Sequence, residues 1–255
     1  MTRVAIVTGA SRGIGRAVAI RLARDFDAVA IVARTAATLA ETADAVRAAG
    51  AEPLVLARDL RQPEASPAVV TATLDRFGRI DALACVAGAV PQLDLFELTE
   101  EQWADGLSLK FHSARRLAIA AWPALEVAQG SVAITSGTSA LTPKASLAAV
   151  GAINAAILAL AKTFAERGVK DGVQVNTILP GTIMTDRRRA MLRRYAEAQG
   201  LQLDEATRRF ASEAGIARYG EPEDVANAIA FLFAPESHWL TGTALRVDGG
   251  ETKAI

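Results

Sequence analysis

Three glycines near the amino terminus have the spacing of a phosphate-binding turn. Gly9, Gly13 and Gly15 follow an apolar run at residues 4–7 and precede a helical pattern. The first glycine permits a tight turn, the second lets a pyrophosphate approach the backbone, and the third lets the helix pack closely on the strand. The amide groups of the helix N-terminus attract the anion. The spacing therefore predicts a dinucleotide site. The other turn residues of this site are Ser11, Arg12 and Ile14.

The end of the second apolar run indicates which dinucleotide is preferred. A ribose diol is usually bound by a carboxylate at this place, whereas a 2′-phosphate requires cations. The run ends at Ala33 and Arg34 without a carboxylate, and Arg12 lies in the nearby turn. We therefore expect NADP(H), with NAD(H) the less favoured cofactor. The alternative is that Arg34 is only a solvated loop residue.

Seven short apolar runs alternate with longer helical patterns and must position these residues. The runs are residues 4–7, 28–32, 54–57, 80–86, 132–135, 173–179 and 244–247. Because they are continuously apolar, they suit a parallel sheet that is covered on both faces. The pattern predicts an α/β, single-domain Rossmann fold over residues 1–255, with a seven-stranded parallel sheet flanked by helices on both faces.

The segment 185–218 interrupts this alternation, because it is polar, rich in arginine and follows a strand end. We interpret it as a helical lid over the site. Its arginines could bind a carboxylate or phosphate of a substrate, although runs of charge more often form a solvated face. These arginines are Arg187, Arg188, Arg189, Arg193 and Arg194.

Composition excludes several other classes of protein. Lys+Arg and Asp+Glu both number 28 in 255 residues, so net charge gives no reason to expect a nucleic acid or an anionic membrane as partner. One cysteine, Cys85, and two histidines form no cluster with metal-ligand spacing. The first residues show no signal-peptide pattern. These features predict a cytoplasmic protein that binds no metal. They also predict that it acts on a small-molecule substrate.

The glycine turn resembles the fingerprint of the short-chain dehydrogenase/reductase family, and the resemblance continues almost to the carboxyl terminus. It covers Asp59-Leu60, Ala87-Gly88, the loop at residues 180–185 and the segment 247–250. In that family the first of these places faces the adenine, the second ends a strand turn, the third is the loop on the nicotinamide side and the last is a C-terminal signature. The resemblance therefore implies further cofactor residues, namely Asp59, Leu60, Ala87, Gly88, Pro180, Gly181, Ile183 and Thr185.

The catalytic positions depart from this resemblance. Members of the family use Asn, Ser, Tyr and Lys, with the last two on one helix face so that the ammonium lowers the phenol pKa. In register, these positions hold Lys110, Gly137, Val150 and Asn154. The chain's two tyrosines follow the sixth run, and neither stands four residues before a lysine. The usual proton relay therefore cannot be carried over.

An amine and an amide have in effect exchanged places between two helices. This arrangement resembles the branch of the family that reduces conjugated enones in bacilysin biosynthesis. Conjugate addition leaves an enolate that solvent can protonate, so a nearby cation would suffice. Lys110 is the predicted oxyanion stabiliser or proton donor, and Asn154 would bind the nicotinamide ribose; Ser136 is a weaker catalytic candidate. The alternative for Lys110 is a side chain whose amine reaches bulk water.

The helical pattern at residues 148–165 is small and apolar around its whole circumference. A sheet can cover only one side of it, so we expect a homo-oligomer, a dimer or tetramer, to bury the other. The alternative is another helix of the same chain.

Three functions are compatible with these patterns. They are a reductase with an altered proton source, a non-catalytic NADP(H)-binding subunit or sensor, and a non-redox offshoot of the family. The intact glycine turn favours the first two.

Overall fold

A computed structural model describes residues 2–253, which form one seven-stranded parallel sheet. The predicted fold class is confirmed. In chain order, the strands are β1 (Val4–Thr8), β2 (Ala28–Ala33), β3 (Glu52–Ala57), β4 (Ala82–Cys85), β5 (Ser131–Thr135), β6 (Gln174–Pro180) and β7 (Ala244–Val247). The predicted domain also includes residues 1, 254 and 255, which lie outside the described residues.

The strand order β3-β2-β1-β4-β5-β6-β7 reverses direction at β1. β1 pairs with β2 on one side and with β4 on the other, and all five of its residues are buried. In such sheets a ligand binds outside the carboxyl ends of the strands, where the order reverses. The fold therefore places the end of β1, and the glycine turn that follows it, at this crevice.

Helices cover both faces of the sheet, as predicted. Helices α1 (Gly13–Leu22), α2 (Ala37–Ala48) and α9 (Pro222–Leu232) pack on one face, and α3 (Ala65–Phe77), α5 (Ser113–Ala128) and α6 (Ala148–Asp171) pack on the other. Two apolar cores result, one on each side of the sheet.

The helical segment between β4 and β5 contains an irregular turn. It begins at α4 (Glu100–Gly106), where Thr99 and Gln102 form a capping box, and then passes through a π-helical turn at Leu107–His112 before α5 begins. A π-helical turn inserts one residue per turn and rotates the side chains that follow; such turns are frequent at functional sites. This turn carries Lys110.

Helix α6 extends six residues beyond its predicted end, to Asp171, and stops where Gly172 adopts a left-handed conformation. Ile153 and Ile157 pack into the core, whereas Ala155 on the outer side is exposed. By length and composition alone the segment Ala145–Asp171 could cross a membrane, a test that core helices of soluble proteins also pass. An oligomer that covers its outer side stays a prediction.

The arginine-rich segment consists of two helices, α7 (Asp186–Gln199) and α8 (Leu203–Ala214). The Thr185 side chain accepts a hydrogen bond from the Arg188 amide and caps α7 at the end of the β6 loop. Movement of this segment as a lid stays a prediction.

Candidate active site

A cleft of about 820 Å³ opens at the carboxyl ends of β1, β4, β5 and β6, with the first turn of α7 along its rim. Of the predicted site residues, it is lined by Gly9, Ser11, Arg12, Gly13, Ile14, Gly15, Ala87, Gly88, Lys110, Ser136, Asn154, Pro180, Gly181 and Thr185. Gly137 and Val150, which stand at two of the family's catalytic positions, line the same cleft. Residues distant in the chain are thus brought to one place.

The glycine turn has the geometry that a bound pyrophosphate requires. Gly9 and Gly13 have φ angles of +69° and +54°, which other residues rarely adopt. A Cβ atom on Gly15 would lie 2.2 Å from the Gly9 carbonyl oxygen, so α1 begins directly against the turn. Within the described chain, Arg12 gives α1 no side-chain cap. The first amides of α1 are thus available to an anion.

Thr8 links this turn to the end of β4. Its hydroxyl oxygen accepts hydrogen bonds from the amides of Val86 and Ala87, both at 3.0 Å. A Cβ atom on Gly9 would lie 3.0 Å from the Ala87 backbone. The two loops that form the predicted cofactor side of the cleft are therefore held at close contact.

Lys110 enters the cleft from the π-helical turn. Its Nζ donates to the Ser136 carbonyl oxygen at 3.0 Å and to Asn154 Oδ1 at 2.5 Å. Its stem passes so close to Gly88 that a Cβ atom there would lie 3.1 Å from Lys110 Cδ. Burial of the amine, with a smaller effect of the Arg187 charge, lowers the pKa of Lys110 to about 8. A proton on this amine can therefore be exchanged near neutral pH.

Asn154 connects Lys110 to a hydroxyl that the sequence patterns did not single out. Its Oδ1 accepts from Lys110, and its Nδ2 donates to Ser139 Oγ at 2.8 Å. A Cβ atom on Gly137 would lie 2.8 Å from Asn154 Nδ2. The loss of a side chain at position 137 and the amide at position 154 therefore fit each other sterically.

The two serines on this segment have different surroundings. The Ser136 hydroxyl is buried and donates to the Asn154 carbonyl oxygen at 2.8 Å, which ties the end of β5 to α6. It is the Ser136 carbonyl that receives Lys110. Ser139 lines the cleft, and among residues 2–253 its hydroxyl donates to no partner. Only the three-dimensional contact with Asn154 distinguishes Ser139 from the neighbouring hydroxyl residues.

Four predicted cofactor residues lie outside the lining of the cleft. Arg34 is exposed after β2, and Asp59 accepts hydrogen bonds from the backbone and side chain of Arg61. Leu60 and Ile183 are buried in the two cores. Their contact with a cofactor stays a prediction.

The five arginines of α7 divide into two groups. Arg187 and Arg188 line the cleft; Arg189, Arg193 and Arg194 do not.

Within residues 2–253, no group of three or more His, Cys, Asp or Glu side chains is placed to hold a metal ion.

The order of the strands, the glycine turn and the cleft together define a dinucleotide-binding α/β protein. Residues 9–252 match the family described as enoyl-(acyl carrier protein) reductase. The chain therefore belongs to this family of short-chain dehydrogenases and reductases. It is 32% identical to the short-chain reductase protein NovJ of Streptomyces niveus, over 97% of this chain and 93% of NovJ.

Solved structures agree with this assignment. The L-sorbose reductase of Gluconobacter frateurii, in complex with NADPH and L-sorbose, superimposes with a TM-score of 0.95 at 30% identity and covers 100% of this chain and 98% of its own. YwfH, an NADPH-dependent reductase involved in bacilysin biosynthesis, superimposes with a TM-score of 0.92 over 100% of both chains. At 24% identity, YwfH shows the shared fold alone.

Proposed function

We propose that this protein is an NADP(H)-dependent reductase of a small carbonyl compound, with a conjugated enone as the favoured substrate. One observation carries the proposal: the Lys110 amine lies in the cleft beside the glycine turn, held by Ser136 and Asn154. A cation in that place can stabilise negative charge that develops on a substrate oxygen.

The cofactor part of the proposal depends on the glycine turn and the open amides of α1, which fit a pyrophosphate. Arg12 in the turn and Arg34 after β2 would bind a 2′-phosphate. The L-sorbose reductase, whose structure contains NADPH, supports the same choice. When bound, NADPH supplies a hydride to a substrate carbon.

The chain's own residues would handle the substrate oxygen. Lys110 has three N–H donors, of which two are engaged by Ser136 and Asn154. The third can donate to the substrate oxygen. The Ser139 hydroxyl accepts from Asn154 and keeps its own proton for a second hydrogen bond to that oxygen. Asn154 thus orients both donors.

This arrangement favours an enone over an isolated ketone. Reduction of a ketone needs a proton on oxygen in every turnover, and within residues 2–253 no tyrosine lines the cleft. Conjugate reduction leaves an enolate that Lys110 and Ser139 can stabilise while solvent protonates carbon. The amine need only remain charged.

The test is a panel of substrates with purified protein. We expect fluorescence titration to show NADPH binding. We also expect 2-cyclohexenone to be converted to cyclohexanone. The rate of NADPH oxidation with 2-cyclohexenone should be at least about tenfold higher than the rate with cyclohexanone as substrate. NADPH binding without oxidation by any enone, ketone or quinone would instead indicate a non-catalytic subunit or sensor. Absence of binding of both NADPH and NADH would indicate a non-redox protein.

Removal of the Arg34 charge should reveal the cofactor preference. A charge-assisted hydrogen bond contributes about 1.5–3 kcal/mol, so Arg34→Ala should raise the Kd of NADPH about tenfold or more and leave that of NADH within twofold. Arg47→Ala is the control, since Arg47 is exposed on α2 and pairs only with Asp44 in the described chain. Equal losses for NADH and NADPH would contradict the role of Arg34.

A further inference from the structure

The charged groups around the cleft are unequal in number and in pairing. The cations of its lining are Arg12, Lys110, Lys144, Arg187 and Arg188, and the carboxylates are Asp105, Asp186 and Glu251. Two of these carboxylates are already engaged: Asp105 accepts two hydrogen bonds from Arg61, and Glu251 accepts from the amide and hydroxyl of Thr182. The cleft therefore presents an excess of positive charge to a ligand.

Asp186 offsets one cation at the rim, and the lining still has five cations against three carboxylates. Asp186 lies in the first turn of α7, where the helix dipole stabilises a carboxylate. Arg188 is also partly satisfied, because its guanidinium carbon lies 5.6 Å from the centre of the Phe210 ring and its Nη1 contacts Met191 Sδ. Arg187 stands between these two residues in sequence. Within the described residues it has neither an aromatic ring nor a sulfur atom as a partner.

Arg187 spans the cleft. Its Nη2 donates to the Val90 carbonyl oxygen at 2.9 Å, which joins the first turn of α7 to the loop after β4. Among the residues that the structure describes, this is its one hydrogen bond, and the side chain is exposed to the cleft. Nη1 and Nε are left for a ligand, and a guanidinium fixed at one end can bind a carboxylate with the donors that remain.

Arg187 is anchored on the loop that packs against Lys110, and the charge of Arg12 in the phosphate turn also acts on it. Val90 stands two residues after Gly88, against which the Lys110 stem packs, and the Arg187 charge acts on the Lys110 amine. Arg187 and Lys110 line the same cleft and both contact the loop after β4, so one small molecule can contact both side chains. The pyrophosphate already has the amides of α1.

We propose that the substrate of this cleft carries a carboxylate, which Arg187 binds while Lys110 and Ser139 contact the reacting carbonyl oxygen. The inference rests on the proposed function, since it assumes that the substrate occupies the cleft beside Lys110. It adds a substrate class, small anionic carbonyl compounds, and assigns the specificity to one lid residue.

The experiment measures binding without turnover. Protein saturated with NADP⁺ is titrated calorimetrically with 4-oxocyclohexane-1-carboxylate and with its methyl ester, for the wild type and Arg187→Met. Arg189→Met is the matched control, because Arg189 is exposed on the same helix and does not line the cleft. The Kd of NADPH is measured for all three proteins by fluorescence.

We expect the wild type and Arg189→Met to bind the carboxylate at least about tenfold more tightly than the ester, a difference that corresponds to about 1.4 kcal/mol. Arg187→Met should bind both compounds equally and keep the Kd of NADPH within threefold. No preference in the wild type, or a preference that persists in Arg187→Met, would overturn the proposal. So would a tenfold weaker NADPH affinity in Arg187→Met with the preference intact, since Arg187 would then bind a cofactor phosphate.

The same compounds separate this inference from the proposed function. The matching unsaturated pair, 4-oxocyclohex-2-ene-1-carboxylate and its ester, is tested as substrate with NADPH. If neither enone is reduced but the Arg187-dependent preference for the saturated carboxylate is present, the reductase function fails and the carboxylate site stands. If both enones are reduced at equal kcat/KM, the function stands and the carboxylate site fails.

Discussion

Replacement of Lys110 by Met should lower kcat/KM for 2-cyclohexenone at least about 100-fold, which corresponds to about 2.7 kcal/mol of transition-state stabilisation. The amine is a charged donor in the cleft that also contains the glycine turn, and two hydrogen bonds hold it in place. Removal of one oxyanion donor in other enzymes costs a factor of about 10² to 10³. The Kd of NADPH should stay within about threefold of that of the wild type, because the turn and α1 are unchanged.

Two further variants make this result specific. Lys110→Gln keeps a donor without a charge and should restore the melting temperature if Lys110→Met loses stability through the unpaired Asn154 Oδ1. Its activity should remain low. Lys170→Met, in the exposed last turn of α6, should react like the wild type. Wild-type rates for Lys110→Met would eliminate the proposed role.

The pH profile gives an independent test of Lys110. The ammonium is the active form, and burial lowers its pKa from 10.5 to about 8. kcat/KM should therefore be constant below pH 8 and fall about tenfold per pH unit above it, since the amine is then neutral. Lys110→Gln should not show this alkaline limb. A limb of unchanged position in Lys110→Gln would assign the titration to another group.

The sequence predicts the sheet well, because its five inner strands are buried on both faces and carry a continuous apolar signal. The run 4–7 corresponds to β1, in which every residue is buried, and the run 244–247 coincides with β7. β3 begins two residues before its predicted run, at Glu52. It is an edge strand paired only with β2, so it tolerates Pro53, which has no amide to donate.

The candidate site is only partly predictable, for a physical reason. Gly15 carries its own local signal, because a turn of fixed spacing needs glycine wherever it occurs. The contact of Ser139 with Asn154 depends on how β5 and α6 pack across many residues, and no spacing reports it. The π-helical turn at Lys110 has the same origin, since helix propensity does not specify an inserted residue. Alignment with the family's catalytic pattern therefore identified Lys110 and Asn154. Their hydrogen-bond contacts could be seen only in the structure.

Replacement of Gly15 by Ala should abolish cofactor binding more completely than removal of any charged side chain. The added Cβ would lie 2.2 Å from the Gly9 carbonyl oxygen and 2.5 Å from its carbonyl carbon. Both are backbone atoms, so relief requires the glycine turn to move away from α1. The amides of α1 would then lose their alignment toward the pyrophosphate. We expect the Kd of NADPH to rise more than about 100-fold, a loss of about 2.7 kcal/mol.

The matched control for this prediction is Gly106→Ala. A Cβ atom there would lie 3.0 Å from Ile153 Cδ1, which is the end of a flexible side chain and is not part of the phosphate turn. This variant tests whether substitution of any closely packed glycine impairs binding. Its Kd for NADPH should stay within twofold of that of the wild type. Circular dichroism distinguishes a displaced turn from global unfolding, because a displaced turn leaves the helix signal intact. If Gly15→Ala binds NADPH as tightly as Gly106→Ala does, the pyrophosphate is not held at this turn, since an undisturbed turn cannot contain the additional methyl group.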